Sequence, residues 1–114
     1  AIEAKYSSML KSIRSNGATP VVFLLPSKES TYRADYEALF GADYLQIEER
    51  AYARLGEIAA ELGIATLDLT SAFRNQGREP TTYLIIDPHW NAAGHHLAAT
   101  SMEPALRRAL GLGP

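Results

Sequence analysis

Apolar side chains recur every three or four residues in two stretches of the chain, which is the spacing of one face of an α-helix. The first stretch ends at Asn16-Gly17 and the second at Gly63, and these residues are typical of helix ends. Charged side chains lie mostly opposite the second stripe, so we expect a long amphipathic helix there. The apolar positions are Ile2, Tyr6, Met9, Leu10 and Ile13 in the first helix, and Ile47, Ala51, Leu55, Ile58 and Leu62 in the second.

Short continuous apolar runs at residues 21–25 and 64–69 predict two β-strands. The first run begins with β-branched residues and is bounded by Pro20 and Pro26, which is typical of a strand buried on both faces. A third apolar run, residues 83–86, has a strand-like composition. The order helix, strand, helix, strand, helix predicts an α/β fold with parallel strands.

Local signals predict the remaining segments. Residues 27–33 are predicted as a polar loop, and a helical stretch is predicted from about residue 32 to residue 41. Asn91 is a good N-cap for a last helix that runs to about Leu110. Pro104 lies inside that helix and has no N–H to donate, so we expect it to kink or divide the helix.

The 114 residues are enough for one domain and too few for two. Two or three parallel strands make a poor sheet, because such strands need neighbours on both sides and helices above and below. The chain also begins without methionine, in a helix-like pattern. We therefore expect residues 1–114 to form a single incomplete domain, whose further strands come from a missing N-terminal portion or from a partner chain.

Composition argues against several classes of protein. Hydrophobic residues make up 46% of the chain and charged residues 21%, as in ordinary globular domains. The formal net charge of -2 argues against a nucleic-acid binder, and no apolar run approaches the roughly 20 residues of a transmembrane helix. No cysteine is present, so the chain has neither a disulfide nor a thiolate nucleophile.

Asp87 and His89 are the clearest candidates for chemistry, and Pro88 fixes the backbone between them. Catalysis by a serine nucleophile needs an imidazole as general base and a carboxylate on the far ring nitrogen of that imidazole. A rigid turn that places the two side chains together can supply both groups. Trp90 is positioned to wall such a site against water, and Asn91 begins the helix behind it.

Residues 84–95 resemble the last conserved block of SGNH hydrolases, also called GDSL esterases. In that family the block supplies the catalytic Asp and His just before the final helix, which corresponds to Asp87 and His89 here. Three features are similar to those of alginate-O-acetyltransferase-like members: Trp90, the strand and Pro-x-Lys loop of residues 21–29, and the strand of residues 63–70. The resemblance implies a three-layer α/β/α, flavodoxin-like parallel sheet, of which this chain is the C-terminal portion. It also implies a bacterial protein, often of the cell envelope.

The chain departs from the family in the residues that would complete the site. The nucleophile block Gly-Asp-Ser is absent, and so are the Gly and Asn blocks that provide oxyanion-hole donors. One residue separates Asp87 from His89, whereas more typical members have two. In the acetyltransferase-like branch the Ser follows the pair, but after His89 only Ser101 remains, within a predicted helix. We therefore expect the nucleophilic Ser to lie upstream, outside this chain.

Residues near the carboxyl ends of the two strands have competing interpretations. Ser27 and Lys28 are predicted to line the substrate pocket with Trp90, and Lys28 to contact an anionic substrate. No Gly-x-Ser-x-Gly elbow surrounds Ser27 or Ser30, however, and an ordinary loop with a solvated lysine fits the sequence better. Asp68 either competes with Asp87 as the partner of the histidine or holds its own loop by accepting backbone N–H bonds.

The Asp87–His89 segment itself has two further interpretations. Asp87 can simply cap a turn, and His89 can be a core histidine whose ring is hydrogen-bonded. A metal site built from Asp87, His89 and His95 is conceivable, but the spacing is not that of typical transition-metal ligands, so no metal is expected. We expect His95 and His96 to be packing or surface residues.

The function predicted from these residues is that of a serine esterase or O-acyltransferase, transferring acetyl or similar groups. The substrate class is a small-molecule or carbohydrate ester, and no cofactor is required. His89 is the predicted general base and Asp87 its orienting carboxylate. The alternative is a noncatalytic carbohydrate-binding or accessory domain that keeps the hydrolase shape without the nucleophile.

Overall fold

The computed structural model of the chain describes residues 1–113, and these residues form an α/β fold as predicted. Two strands are interleaved with helices, and the last helix is the longest. The elements are α1 (Ile2–Ser15), β1 (Val21–Leu24), α2 (Lys28–Thr31), α3 (Arg33–Phe40), α4 (Gln46–Glu61), β2 (Ala65–Asp68), α5 (Thr70–Gln76) and α6 (Ala92–Ala109).

The sheet consists of β1 and β2, paired in parallel as the element order predicts. Val21 lies opposite Ala65, and Leu24 lies opposite Asp68. Only Leu24 among the residues of β1 is fully buried, and the rest of that strand is half-buried. Apolar parallel strands are normally covered on both faces, and β1 is covered only in part. That further strands from outside this chain complete the sheet stays a prediction.

Two apolar clusters pack around this sheet. One joins α1 and α4 to the sheet through Leu10, Ala59 and Ile64, with Val22 packed against them. The other lies around α5 and α6, which contact each other, and α6 also contacts both strands. The buried members of the second cluster are Leu69, Phe73, Tyr83 and Ala98. This second cluster supports the segment that contains Asp87 and His89.

The predicted helix ends are confirmed at both glycines. Gly17 has a φ of 83° and Gly63 a φ of 67°, in the left-handed region that favours glycine. After α4, the N–H of Gly63 donates to Ala60 O at 2.9 Å and the N–H of Ile64 donates to Ala59 O at 2.8 Å. This pair of bonds is a Schellman motif, and it directs the chain from α4 into β2.

The structure corrects two predictions in the first half of the chain. Residues 27–33 are not a loop, because Ser27 caps the short helix α2 by accepting the N–H of Ser30 at 3.0 Å. Ile47 was expected on the buried stripe of α4 but is 81% exposed, since the stripe meets the core only in the second half of the helix, at Ile58 and Ala59.

The second half of the chain differs from the expected pattern at two places. Residues 83–86 have a strand-like composition but form no strand, and Tyr83 makes only an isolated bridge to Trp90. Pro104 was expected to kink or divide the last helix; it does not divide it, and α6 continues through residue 104. None of the helices within residues 1–113 has the length and apolar character needed to cross a membrane.

Candidate active site

Asp87 and His89 lie in a turn formed by residues 83–90, here named the 83–90 turn. Its two ends are joined by the N–H of Leu84, which donates to His89 O at 3.0 Å, and by the bridge between Tyr83 and Trp90. Directly behind the turn, Asn91 caps α6 by accepting the N–H of Gly94 at 3.0 Å, as predicted. The turn is therefore fixed to the start of the longest helix.

Asp87 contacts His89 in the manner that a catalytic pair requires. The carboxylate Oδ1 lies 2.5 Å from Nδ1 of the imidazole and accepts the backbone N–H of His89 at 2.8 Å. The same oxygen therefore fixes both the backbone and the ring. With Nδ1 held by the carboxylate, Nε2 is the ring nitrogen that remains free to exchange a proton with a nucleophile.

The electrostatics of the pair favour an ionised carboxylate. The backbone N–H and then the ring of His89 lower the pKa of Asp87, and the nearby Lys28 ammonium lowers it further. Asp87 is therefore negatively charged at neutral pH, which is the state that stabilises an imidazolium.

This lowered pKa predicts a measurable pH dependence. Because the folded pKa lies below the unfolded one, the Asp87–His89 contact is fully present above the ordinary aspartate pKa of about 3.9. It is lost as the pH falls through the lower folded value. We expect the ¹³Cγ resonance of Asp87 to titrate at lower pH in the folded chain than in urea. Equal midpoints in the two states would show that the contact does not persist in solution.

The 83–90 turn is attached to the loop that follows β1. The hydroxyl of the buried Tyr83 donates to Pro26 O at 2.7 Å and lies 3.0 Å from the hydroxyl of Thr31. Burial raises the pKa of Tyr83, so this hydroxyl keeps its proton and remains a donor. The ammonium of Lys28 donates to Leu84 O at 2.6 Å and to Ile85 O at 2.7 Å.

The structure brings the predicted pocket residues to different places. A cavity of about 300 Å³ lies beside His89 and is lined mostly by apolar side chains. Trp90 forms one wall of it and stacks on Phe73 at 5.0 Å between ring centroids. Ser27 is not in this lining, and its hydroxyl donates to Glu48 at 2.6 Å. The lining residues are Leu25, Pro26, Tyr83, Pro88, His89, Trp90 and His95.

Other polar candidates have local partners. Asp68 accepts the N–H of Thr70 at 2.8 Å, which is the loop-holding role that competed with catalysis. His95 lies on α6 with its ring edge-on to Trp90 at 5.6 Å between centroids, and His96 is exposed on the same helix. Within residues 1–113 no three His, Cys, Asp or Glu side chains are arranged to hold a metal ion.

Sequence reasoning missed the residues that attach the turn to the rest of the fold. Tyr83 bonds to Thr31 and Pro26, which are far away in the chain, and no spacing rule reveals such pairs. A serine at position 27 followed by a polar residue at position 30 was an available signal for the cap of α2.

Comparison with known proteins agrees with the resemblance found in residues 84–95. No curated protein and no solved structure matches this chain. The sequence model of one family does match, over residues 3–113, and its description is SGNH hydrolase-like domain, acetyltransferase AlgX. Because this match covers nearly all of the chain, the protein belongs to the family of SGNH hydrolase-like domains of acetyltransferase AlgX.

Proposed function

We propose that this chain supplies the general base and its orienting carboxylate to a serine esterase or O-acyltransferase. The observation that carries the proposal is the contact of 2.5 Å between Oδ1 of Asp87 and Nδ1 of His89. The apolar cavity beside His89 supports it, because a cavity of about 300 Å³ has room for a small acyl group such as acetyl.

The reaction that follows from this geometry has two halves. In the first, Nε2 of His89 takes the proton of a serine hydroxyl as its oxygen attacks the carbonyl carbon of the ester. The tetrahedral intermediate collapses, the ester C–O bond breaks, and the leaving alkoxide takes the proton from the imidazolium. In the second half, water or a sugar hydroxyl attacks the acyl-enzyme, and His89 again accepts and returns one proton. Asp87 keeps the ring in one tautomer throughout.

We infer that the serine comes from outside these 114 residues. The His89 side chain is 82% exposed, so a further segment has room to approach its free nitrogen. Ser27 is bonded to Glu48, and the buried Ser30 accepts the guanidinium of Arg74 at 3.0 Å. Ser101 lies in the middle of α6, and at a rise of 1.5 Å per residue it is roughly 15 Å along the helix from the cap at Asn91. The same outside segment would add parallel strands and complete a three-layer α/β/α fold.

The proposal is tested by a matched pair of substitutions in the full-length protein. Asp68 and Asp87 each accept a backbone N–H from two residues later at 2.8 Å, but only Asp87 also holds an imidazole. Asp87→Asn keeps an acceptor for the backbone but favours the wrong tautomer of His89. We expect it to lower kcat for a small acetyl ester by about 10⁴-fold, while Asp68→Asn has no such effect.

Two outcomes would argue against catalysis through this pair. Equal loss of turnover in Asp68→Asn and Asp87→Asn would assign the effect to loop structure rather than to the imidazole. A full-length protein that binds carbohydrate but releases no acetate from any ester would favour the noncatalytic accessory domain.

A further inference from the structure

Lys28 joins the loop after β1 to the 83–90 turn. It is the first residue of α2 and is half-buried. Its ammonium donates to two successive backbone carbonyls, Leu84 O at 2.6 Å and Ile85 O at 2.7 Å. Hydrogen bonds from a charged donor are roughly twice as strong as neutral ones. The side chain thus binds the chain just before Asp87.

Hydrophobic packing does not fix this part of the turn. Ile85 is 89% exposed and Ile86 97%, so these two side chains bury little apolar surface, and Leu84 is buried over only about half of its surface. The remainder of the turn is held at its ends, by the buried Tyr83 and by the cap of α6 at Asn91. Between these ends the segment has its own local bonds, from Leu84 N–H to His89 O and from His89 N–H to Asp87, and the Lys28 ammonium adds hydrogen bonds from another part of the chain.

We propose that Lys28 is a positioning residue, which holds the backbone of residues 84 and 85 so that Asp87 and His89 stay in contact. This inference rests on the proposed function only in one respect, which is the role of His89 as the general base. Asp87 Oδ1 must reach both the backbone N–H and the ring of His89, which requires one conformation of residues 87–89, and the N–H of Leu84, which donates to His89 O at 3.0 Å, links that conformation to residue 84. Without the ammonium, two adjacent carbonyls lose their donor and the exposed segment is free to take other conformations.

The charge of Lys28 acts in the same direction as its hydrogen bonds. The ammonium contributes to the lowered pKa of Asp87, after the larger contributions of the His89 backbone and ring. Lys28 therefore favours both the position and the ionised state of the carboxylate. A merely structural lysine elsewhere on the surface would affect neither.

The first test uses the unaltered chain. Lysine ammonium protons exchange rapidly with water unless hydrogen bonds hold them, so in ¹H–¹⁵N spectra we expect a signal from the ammonium of Lys28. The exposed Lys11 of α1 provides the comparison and is expected to give no signal. An ammonium of Lys28 that exchanges as fast as that of Lys11 would overturn the proposal, whether or not any variant folds.

The second test compares Lys28→Met, which keeps the length of the side chain but removes its charge, with Lys28→Arg, which keeps a charged donor. In Lys28→Met we expect amide exchange of Leu84 and His89 to accelerate about tenfold or more. We also expect the Asp87 carboxyl resonance to titrate at higher pH. In Lys28→Arg the amide exchange rates and the Asp87 titration should stay closer to those of the unaltered chain than in Lys28→Met. Lys11→Met should change neither.

The outcomes separate this proposal from the proposed function. If Lys28→Met leaves exchange at Leu84 and His89 and the Asp87 titration unchanged, Lys28 does not position the pair, even if His89 is catalytic. If these quantities change as expected but Asp87→Asn retains full ester turnover in the full-length protein, the positioning holds and the catalytic role fails. Amides of α1 and α4 serve as an internal reference for global unfolding.

Discussion

Gly94→Ala is expected to destabilise the chain by about 3 kcal/mol, although alanine is the better helix former. Gly94 lies in the first turn of α6, where the helix meets the 83–90 turn. A Cβ added there would lie 2.2 Å from Thr82 O and 2.9 Å from the Cβ of Trp90. The Thr82 carbonyl is backbone that accepts the N–H of Asn91 at 3.1 Å, and the residue is fully buried, so it has no room to retreat.

Gly56 is the matched control for this substitution. It lies in the middle of α4, and an added Cβ meets nothing within 4 Å. Gly56→Ala should therefore raise the free energy of unfolding by roughly 0.5–1 kcal/mol, through helix propensity alone. Urea unfolding followed by circular dichroism measures both changes. A lower free energy of unfolding in Gly94→Ala together with a higher one in Gly56→Ala would support the close packing of α6 against residue 82. A Gly94→Ala variant as stable as the parent would contradict it.

The packing at Gly94 also connects stability to the site. If Thr82 is displaced, the bonds from Tyr83 and Asn91 on either side of the turn are strained with it. We therefore expect the resonances of Asp87 and His89 to shift in Gly94→Ala and to stay in place in Gly56→Ala. The position of Asp87 and His89 thus depends on the close approach of two backbones, at Gly94 and Thr82, and a side chain at position 94 would prevent that approach.

The sequence predicts best those features that depend on residues close together in the chain. Asn91 as a helix cap and Gly63 as a helix end are local hydrogen-bonding and backbone effects, and both are found. Asp87 and His89 are two residues apart, so a single turn is enough to bring them into contact. The parallel pairing of β1 with β2 follows from the helical connection between them, which consists of α2, α3 and α4.

Features that depend on tertiary contacts are not predictable from local patterns. Ile47 has the helical spacing of a buried residue, but the core ends before it reaches that turn of α4. Lys28 was expected in the pocket or in solvent, and its ammonium instead binds carbonyls more than fifty residues away in the chain. The apolar residues 84–86 have the composition of a strand, yet within the described chain no neighbouring strand is available to pair with them.

His89→Ala is expected to have the largest effect on activity of any substitution in this chain. In the proposed mechanism the imidazole removes the serine proton and returns it to the leaving group, and among the described residues no other side chain is bonded to Asp87 Oδ1. Removing the base of a serine triad costs on the order of 10⁶-fold in kcat. Folding should be little affected, because the side chain is 82% exposed and buries little surface.

His96 provides the control, since it is an exposed histidine of α6 whose side chain makes no hydrogen bond among the described residues. The measurement is kcat for hydrolysis of a small acetyl ester by the full-length protein and by His89→Ala and His96→Ala, at equal folded concentration. We expect turnover to fall to the background rate in His89→Ala alone. Addition of free imidazole should restore part of it, because the base then enters the space that the side chain has left beside Asp87. Turnover that survives in His89→Ala would require a different base, and the Asp87–His89 contact would then be a structural feature of the turn.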